Sequence, residues 1–187
     1  TWLGDYIFAD INNDGKIDNN DQTFIGNPEP KFTYGIGNTF SWKGFDLTIF
    51  LSGSYGNDVL NYNRRWLEQS GANSNLLKST GYAIVEKIDP NGPDDFRNFH
   101  VTGAPLSPRL YTASAKNFNW RVSDRYIEDG SYLRIQNISL GYTFPKKWLG
   151  KTPIQNLKVY ANLQNVYTWT KYKGYDPEVG SLWGNTL

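Results

Sequence analysis

Apolar and polar residues alternate along four stretches of the chain, and this pattern predicts four β-strands. The stretches are residues 31–43, 44–56, 137–145 and 157–169. Successive side chains of a strand point to opposite faces of a sheet, so each predicted strand has one apolar face and one face of small or polar residues. Little more than Lys43 and Gly44 separates the first two stretches. This short connection predicts a tight antiparallel hairpin.

Three of these stretches are longer than an ordinary strand, at roughly 10–14 residues where five or six are usual. That length suits a strand that crosses a bilayer at a tilt. The apolar face would then meet lipid through Tyr34, Ile36, Phe40, Ile138, Leu140 and Tyr142. The same stripes could instead face a soluble β-core, and the alternation alone does not separate the two interpretations. Near Gln136 the alternation changes phase, which predicts either a bulge or a strand leaving the apolar band.

Short and long connections alternate between the predicted strands. The connection at 43–44 is tiny and 145–156 is moderate, whereas 56–130 is a long excursion and 170–187 begins another. A transmembrane barrel has short periplasmic turns and long extracellular loops, whereas a compact soluble domain rarely contains so long a connection. Within the excursion, the letters LNYNRRWLEQS predict a short helix. Because short and long connections alternate, we expect residues 10–30 to lie on the same side of the sheet as the long loops.

Composition narrows the class of protein further. Aromatic residues make up 16% of the chain although the mean hydropathy is −0.59, and Tyr and Trp of this kind favour wet interfaces. The net charge of only +1 lacks the excess of basic residues that is typical of nucleic-acid binding, so we expect no nucleic-acid partner. Cysteine is absent, which removes disulfides and thiol chemistry. Methionine is absent too, so we expect an internal or processed piece of a longer polypeptide, and no apolar run is long enough for a transmembrane helix.

The letters DINNDGKIDNND, residues 10–21, have the spacing of a calcium loop. Ca²⁺ takes six to eight hard oxygen ligands, which alternate residues of a tightly wound loop can supply. Gly15 stands where the loop turns sharply, and the residue after it would donate a backbone carbonyl. The predicted ligands are Asp10, Asn12, Asp14, Lys16, Asp18 and Asp21. An Asn/Asp/Gly-rich surface turn is the alternative. Because the flanks show no long helices, we expect a structural Ca²⁺ that stiffens a connection.

No arrangement of residues suggests catalysis. His100 is the one histidine, and it lies within the long excursion, where we expect a solvated loop residue. The carboxylate pairs Asp94–Asp95 and Glu128–Asp129 both adjoin turn residues, which also predicts solvated loops. No nucleophile and base stand in a recognisable relation, so we expect no enzymatic activity.

Several stretches together resemble one family. An acidic loop, IGNPEPKFTYG (25–35) and KGFDL (43–47) follow one another, and DGSYLRIQNISLGYTFPKKWL (129–149) and LKVYANLQNVYTWTKYKGYDPEV (157–179) come later. In this order they resemble the SusC/RagA-like TonB-dependent outer-membrane transporters. The matching stretches cover about half of the chain and are typical of the family's C-terminal part.

The resemblance implies an all-β fold whose antiparallel strands form part of a transmembrane barrel of about 22 strands. Residues 1–187 would be a C-terminal barrel segment, with 10–21 and 56–130 as extracellular loops. The signal sequence, the plug domain with its TonB box and the closing strand would lie outside this segment. It further implies import of glycan or peptide fragments across the outer membrane of a Gram-negative bacterium, energised through TonB, with a SusD-like surface lipoprotein as partner.

Aromatic side chains in the excursion are candidate ligand contacts, since aromatic faces stack on sugar rings. They are Trp66, Tyr111, Trp120 and Tyr126. The same residues could simply pack loops together. The alternative to a transporter is a secreted β-sandwich that binds carbohydrate and is stapled by a calcium loop; a calcium-dependent adhesion piece is a second alternative.

Overall fold

The computed structural model describes residues 2–68, 81–103, 105–110, 119–150 and 152–178. These residues form eight strands, two α-helices and three short 3-10 helices. The strands are β1 (Phe32–Trp42), β2 (Phe45–Tyr55), β3 (Asp58–Leu60), β4 (Ile84–Lys87), β5 (Phe99–Thr102), β6 (Ile127–Asp129), β7 (Tyr132–Thr143) and β8 (Lys158–Thr170). The α-helices are α1 (Tyr62–Glu68) and α2 (Lys146–Leu149), and the 3-10 helices are Asn19–Asp21, Phe96–Asn98 and Asp124–Tyr126.

The four predicted strands form one antiparallel sheet in the order β1-β2-β7-β8. Residues that pair across strands share a face, and the register brings the apolar positions together row by row. In one such row Phe40 pairs with Leu47, which pairs with Leu140, which pairs with Ala161. The predicted antiparallel β-structure is confirmed. Residue by residue, the alternation therefore gives the sheet one continuous apolar face and one polar face.

A two-residue turn joins β1 to β2, as the short connection predicts. Lys43 and Gly44 both have positive φ, at 48° and 92°, which is the geometry that lets a two-residue loop match the twist of its strands. The Gly44 carbonyl accepts the N–H of Thr143 at 2.8 Å, so the turn is also tied to β7. A side chain at Gly44 would lie 2.8 Å from the Thr143 carbonyl oxygen, which reserves the position for glycine.

The phase change in β7 is a β-bulge, one of the two predicted explanations. Phe50 pairs with Asn137 and Leu51 pairs with Ile135, so Gln136 is the extra residue. Its amide oxygen accepts the Ser52 hydroxyl at 2.6 Å, which satisfies the bulged side chain. The bulge returns the residues on both sides of it to the same apolar face, so the stripe continues through the strand.

The chain divides into two compact units. Among the described residues, one contains those up to Ile25 together with those from Leu60 to Ile127, and the other contains Gly26–Val59 together with those from Glu128 to Glu178. The second unit holds the four-stranded sheet. The first holds α1 and an antiparallel pair formed by β4 and β5. His100 lies on β5, exposed and paired with Glu86, which corrects its predicted place in a loop. The helix predicted within LNYNRRWLEQS is α1.

Burial in the described residues is mostly polar. The buried apolar residues are Val59, Ala83 and Tyr126, whereas the buried polar ones are Ser54, Asn57, Asn61, Arg65, Glu68, Ser107, Asn119 and Arg134. Hydrogen bonds and ion pairs must satisfy these groups. Among the described residues, the helices are all too short and too polar to cross a membrane.

Gly53 in β2 allows a close crossing of the sheet. The Tyr34 ring passes over it, and the Tyr34 hydroxyl donates to the Tyr132 carbonyl at 3.0 Å. A Cβ at Gly53 would collide with both the Tyr34 ring and the Tyr132 carbonyl oxygen. We therefore expect Gly53→Ala to lower the free energy of unfolding by about 1–3 kcal/mol, the usual cost of overpacking. Thermal or urea unfolding of the folded protein measures this.

Gly37→Ala is the matched control, because a Cβ at Gly37 would meet Phe50 at an ordinary 3.6 Å. Gly37 belongs to the same sheet and also lacks a positive φ. Equal destabilisation by the two substitutions would show that the crossing at Gly53 is not what sets the cost.

Candidate functional site

The 10–21 loop has the winding that its spacing predicts. Asn13 and Gly15 have positive φ, at 60° and 79°. Left-handed residues at alternate positions coil the chain tightly, and glycine adopts this conformation without strain. Since nothing lies within 4 Å of a Cβ built at Gly15, glycine is needed here for its backbone conformation and not for space.

Two aspartates close the loop through its own backbone. Asp10 accepts the N–H groups of Asp14 at 3.2 Å and Gly15 at 2.8 Å. Asp21 accepts those of Asp18 at 2.7 Å and Ile11 at 2.9 Å, so it joins both ends of the loop. These backbone hydrogen bonds, that from Asp18 first, hold the pKa of Asp21 below its usual value. The loop is thus held in shape by its carboxylates.

The remaining predicted ligands also serve the loop itself. Asn12 accepts the Asp14 N–H at 3.1 Å, Asp14 accepts the Lys16 N–H at 2.8 Å, and Asp18 accepts the Asn20 N–H at 2.8 Å. Within the described ranges, no three or more His, Cys, Asp or Glu residues come together as a metal-holding group. The backbone therefore fits a cation loop, while the carboxylates as placed serve N–H groups.

Three of the predicted ligand aromatics, Trp66, Trp120 and Tyr126, belong to the unit that contains α1. Trp66 is 47% exposed and Trp120 is 41% exposed, so both present ring surface. Tyr126 is only 2% exposed, which corrects its prediction as a ligand contact: the ring packs in the interior. Tyr111 lies outside the described residues. The structure thus leaves Trp66 and Trp120 as exposed candidates.

A buried carboxylate between two arginines holds this unit together. The Glu68 side chain is 5% exposed and pairs with Arg64 Nε at 2.7 Å and Arg125 Nη2 at 3.0 Å. Arg125 also donates to the Ser107 hydroxyl at 2.8 Å. A buried charge is tolerated only when it is paired and hydrogen-bonded, and Glu68 meets both conditions.

Arg65 fixes the position of Trp120. Its Nε donates to the Trp120 carbonyl at 2.7 Å, and its guanidinium lies 5.4 Å from the centre of the Trp120 ring. The same guanidinium lies 4.9 Å from the Tyr62 ring. Tyr62 in turn meets Trp66 edge to face at 6.2 Å. The two exposed tryptophans are therefore linked through one buried arginine.

Burial and neighbouring groups shift the pKa values of Tyr6 and Asp5 in the same unit. Burial raises the pKa of Tyr6, and the nearby Glu68 charge adds to that rise although Arg125 opposes it. Burial alone would also raise the pKa of Asp5. Hydrogen bonds from Asn119, the Trp2 N–H and Arg109 outweigh that effect and keep the pKa of Asp5 below its usual value.

The polar face of the sheet carries a second ionic cluster, formed by a buried arginine and two partly exposed carboxylates. Arg134 on β7 is 6% exposed and donates to Thr168 at 2.9 Å, to Asp176 at 2.6 Å and to Glu178 at 2.5 Å. The segment that follows β8 is thus tied back to the sheet. Our sequence reasoning missed this cluster. The available signal was a single arginine among the small, polar positions of an alternating strand.

The chain is similar in sequence to several TonB-dependent receptors. No protein-family model matches the chain. TonB-dependent receptor P3 of Formosa agariphila is 34% identical over 175 residues, which cover 94% of this chain and 15% of that receptor. TonB-dependent receptor P39 of the same organism is 32% identical over 98% of this chain and 17% of its own length. TonB-dependent receptor SusC of Bacteroides thetaiotaomicron is 30% identical over 94% of this chain and 15% of its own length.

Solved structures share the fold. The structure of the RagAB peptide transporter superposes with a TM-score of 0.63 at 24% identity, over 88% of this chain and 17% of that chain. The closed-closed state of the RagAB peptide importer gives a TM-score of 0.59 at 23% identity, over 89% of this chain and 18% of that chain. The described sheet therefore has the fold of a segment of these transporter structures.

The predicted family is confirmed: the chain belongs to the SusC/RagA-like TonB-dependent receptors. It spans 15–17% of the length of the curated relatives described above.

Glu68 provides a test of the ionic interior. We expect Glu68→Gln to lower the free energy of unfolding of its unit by about 3 kcal/mol, because two arginines lose their counter-charge. The value lies at the lower end for a broken buried pair, since the Arg64 and Arg125 side chains keep 26% and 24% of their surface exposed. Hydrogen exchange along α1, which reports local opening, measures the loss.

Asp95→Asn in the same unit is the control. Asp95 pairs with Arg97 at 2.6 Å, but the Arg97 side chain is 76% exposed, and exposed pairs contribute less than about 1 kcal/mol. If hydrogen exchange along α1 were unchanged in Glu68→Gln, the cluster would not be holding the unit together.

Proposed function

We propose that this chain is a C-terminal wall segment of an outer-membrane barrel of about 22 strands in a Gram-negative bacterium, part of an active importer of glycan or peptide fragments energised through TonB. The observation that carries the proposal is the two-faced sheet, one face apolar and exposed and the other polar, in a chain related to SusC.

Strand length supports a membrane span. The four strands of the sheet contain 11, 11, 12 and 13 residues. At about 3.4 Å per residue they extend about 37–44 Å. A tilt of about 40°, typical of outer-membrane barrels, reduces this to about 29–34 Å across the membrane. That distance matches the hydrocarbon thickness of about 30 Å.

The apolar face is exposed on the outer strands β1 and β8 and partly exposed on the inner strands. Ile36, Phe40 and Leu163 keep 51%, 59% and 57% of their surface exposed. In the sandwich alternative a second sheet would cover such residues, and their exposure therefore favours lipid as the neighbour.

At the end near the Lys43–Gly44 turn, Phe45 and Tyr142 pack at 4.5 Å between ring centres. At the other end Phe32 and Tyr55 stack at 5.3 Å, so aromatic rings flank the middle as in interfacial girdles.

The polar face suits a water-filled or plugged interior. Asp46 accepts from Lys158 at 2.8 Å and from Ser41 at 2.8 Å, and the Thr39 and Thr48 hydroxyls meet at 3.2 Å. Lumen-facing residues of barrels alternate with lipid-facing ones in this way. The outer edges of β1 and β8 would pair with neighbouring strands of the same barrel, since open edges are not tolerated within a bilayer.

The partners and the substrate class follow from the relatives by analogy. RagAB is described as a peptide importer, and SusC is a TonB-dependent receptor. We expect a SusD-like surface lipoprotein over the long-loop side and TonB contact through a plug. Trp66 and Trp120 are the proposed ligand contacts, because both rings are exposed. Arg65 contacts Trp120 directly and Trp66 only through the Tyr62 ring. A transporter moves its ligand without breaking bonds, so no enzymatic activity is proposed.

Uptake by cells tests the import proposal. We expect deletion of the gene for the full receptor, or inactivation of TonB, to abolish growth at limiting concentrations of one fragment class, either oligosaccharides or oligopeptides. Trp66→Ala should lower uptake of that class severalfold, while Phe96→Ala should not, although Phe96 is also exposed, at 60%. Monosaccharides and amino acids serve as controls, because molecules of this size diffuse through pores. Undiminished growth on both fragment classes would contradict the proposal.

The proposal includes a structural Ca²⁺ at residues 10–21. Side-chain oxygens of Asp10, Asn12, Asp14, Asp18 and Asp21 and the Lys16 carbonyl would hold it. The positive φ at Asn13 and Gly15 supports this assignment, as does the presence of four aspartates within one short loop. A bound Ca²⁺ would offset their mutual repulsion and cross-link the loop.

Asp14→Asn tests calcium binding while keeping the bond from the Lys16 N–H, although it gives up the weaker bond that Asn12 Nδ2 donates at 3.2 Å. The amide oxygen can still accept the Lys16 N–H, so the variant loses charge and affinity while keeping this contact. We expect Ca²⁺ to raise the melting temperature of the parent receptor measurably and that of the variant much less, because a ligand stabilises by mass action. Asp89→Asn is the control, since Asp89 likewise accepts an N–H two residues on, at 2.9 Å. A parent that does not respond to Ca²⁺ would refute the site.

A further inference from the structure

The end of the sheet near the Lys43–Gly44 turn combines aromatic rings with lysines that form no ion pair among the described residues. We call this region the basic edge and define it by Trp42, Lys43, Phe45, Tyr142, the 144–148 segment and the α2 lysines. It contains the Lys43–Gly44 turn and α2, which the Thr143–Gly44 hydrogen bond and the Phe45–Tyr142 contact bring side by side. All of it belongs to the unit that holds the four-stranded sheet.

The charge at this edge has one sign. Lys43, Lys146 and Lys147 are exposed, and none of them forms an ion pair with a carboxylate in the described part of the chain. Residues 30–45 and 130–157 contain no Asp or Glu. The nearest acidic residue in sequence, Asp46, points to the polar face and is already paired with Lys158 at 2.8 Å. Among the residues that the structure describes, this edge therefore has no counter-charge of its own.

The aromatic rings beside the lysines are exposed and ordered by contacts with one another. Trp42 and Trp148 keep 68% and 67% of their surface exposed. Trp148 lies 6.1 Å from Phe144 between ring centres, and the Lys43 ammonium lies 4.7 Å from the centre of the Trp42 ring. Rings of this kind prefer the boundary between hydrocarbon and headgroups, and lysine stems run along apolar surface while the ammonium stays in the polar layer.

We propose that the basic edge binds the phosphate headgroup of an anionic glycerophospholipid whose acyl chains lie along the apolar face. The inference rests on the proposed barrel function, which places this face in lipid. Three ammonium groups supply the positive charge that a phosphodiester needs, and the exposed tryptophans lie where the glycerol and upper chain would be. A soluble anion would use the lysines alone and leave the rings without a partner, so a lipid is the occupant that uses both features.

Selective lipid binding by the full receptor is the test. We would titrate short-chain phosphatidylglycerol and phosphatidylcholine into the detergent-solubilised receptor and count bound lipids by native mass spectrometry. The variant replaces Lys43, Lys146 and Lys147 by Gln. Each basic residue near an anionic surface contributes about a fivefold factor in affinity. We expect at least tenfold weaker binding of phosphatidylglycerol, with phosphatidylcholine unchanged.

The matched control removes three lysines from the opposite end of the sheet: Lys31, Lys171 and Lys173. It lowers the net charge equally and should keep the parent's lipid selectivity. The double variant Lys146→Gln/Lys147→Gln leaves the turn intact and should give an intermediate loss, which keeps the test usable if the triple variant does not fold. Equal phosphatidylglycerol binding by parent and edge variants would overturn the inference. So would full displacement of the lipid by millimolar inorganic phosphate.

Spin labels separate this inference from the proposed function. Ile138 and Ser139 are neighbours in the central strand β7 and point to opposite faces. In a membrane barrel, a label at residue 138 contacts oxygen dissolved in lipid, and one at residue 139 does not. Lipid contact at residue 138 without phosphatidylglycerol selectivity would overturn only the headgroup site. Absence of lipid contact at residue 138 would overturn the barrel proposal and the headgroup site together.

Discussion

The register of the four-stranded sheet is the constraint on which the other features of the second unit depend. Side chains alternate with a period of two, so a slip of one residue would move every apolar side chain to the polar face. Two local features hold the register. The Lys43–Gly44 turn, with two positive φ values, fixes β1 against β2 and bonds to β7. The Gln136 bulge then corrects the odd spacing between Ile135 and Ile138, and without it the apolar stripe of β7 would be split between two faces.

The first unit is stabilised by a different kind of interaction. Few apolar side chains are buried in the described residues, and Glu68 and the arginines around it occupy the interior instead. Such a cluster adds less net stability than an apolar core of equal size, but it strongly penalises any arrangement that leaves one charge unpaired. The cluster therefore specifies where α1 lies, and through Arg65 it fixes the orientation of Trp120. For the proposed ligand contacts, a defined ring position matters more than additional stability.

Local patterns in the sequence predicted the sheet well and predicted the clusters poorly. The alternation of apolar and polar residues and the residues of the short turn predict the strands, the hairpin and the bulge. The stretch LNYNRRWLEQS predicts the helix α1. The pairing of β4 with β5 and the contacts between Glu68 and Arg125 join residues far apart in sequence, and no periodicity reports them. Burial is equally hard to predict, as Tyr126 shows. Tyrosine has an apolar ring and a polar tip and is common at surfaces, but the fold buries this one. The 10–21 loop is intermediate, since its spacing predicted the winding at Asn13 and Gly15 but the contacts of its carboxylates depend on the loop's own N–H groups.

Charge is distributed over the sheet according to the medium that each part would meet. On the polar face the charged groups are paired within the chain, Asp46 with Lys158 and Arg134 with Asp176 and Glu178. In the proposed barrel, this internal pairing leaves the lumen-facing wall without strong net charge. At the basic edge, by contrast, the lysines form no ion pair with a carboxylate in the described part of the chain. In the proposed barrel, a counter-charge supplied by the membrane explains this difference, because headgroup phosphates lie at the ends of a spanning strand and not along its middle.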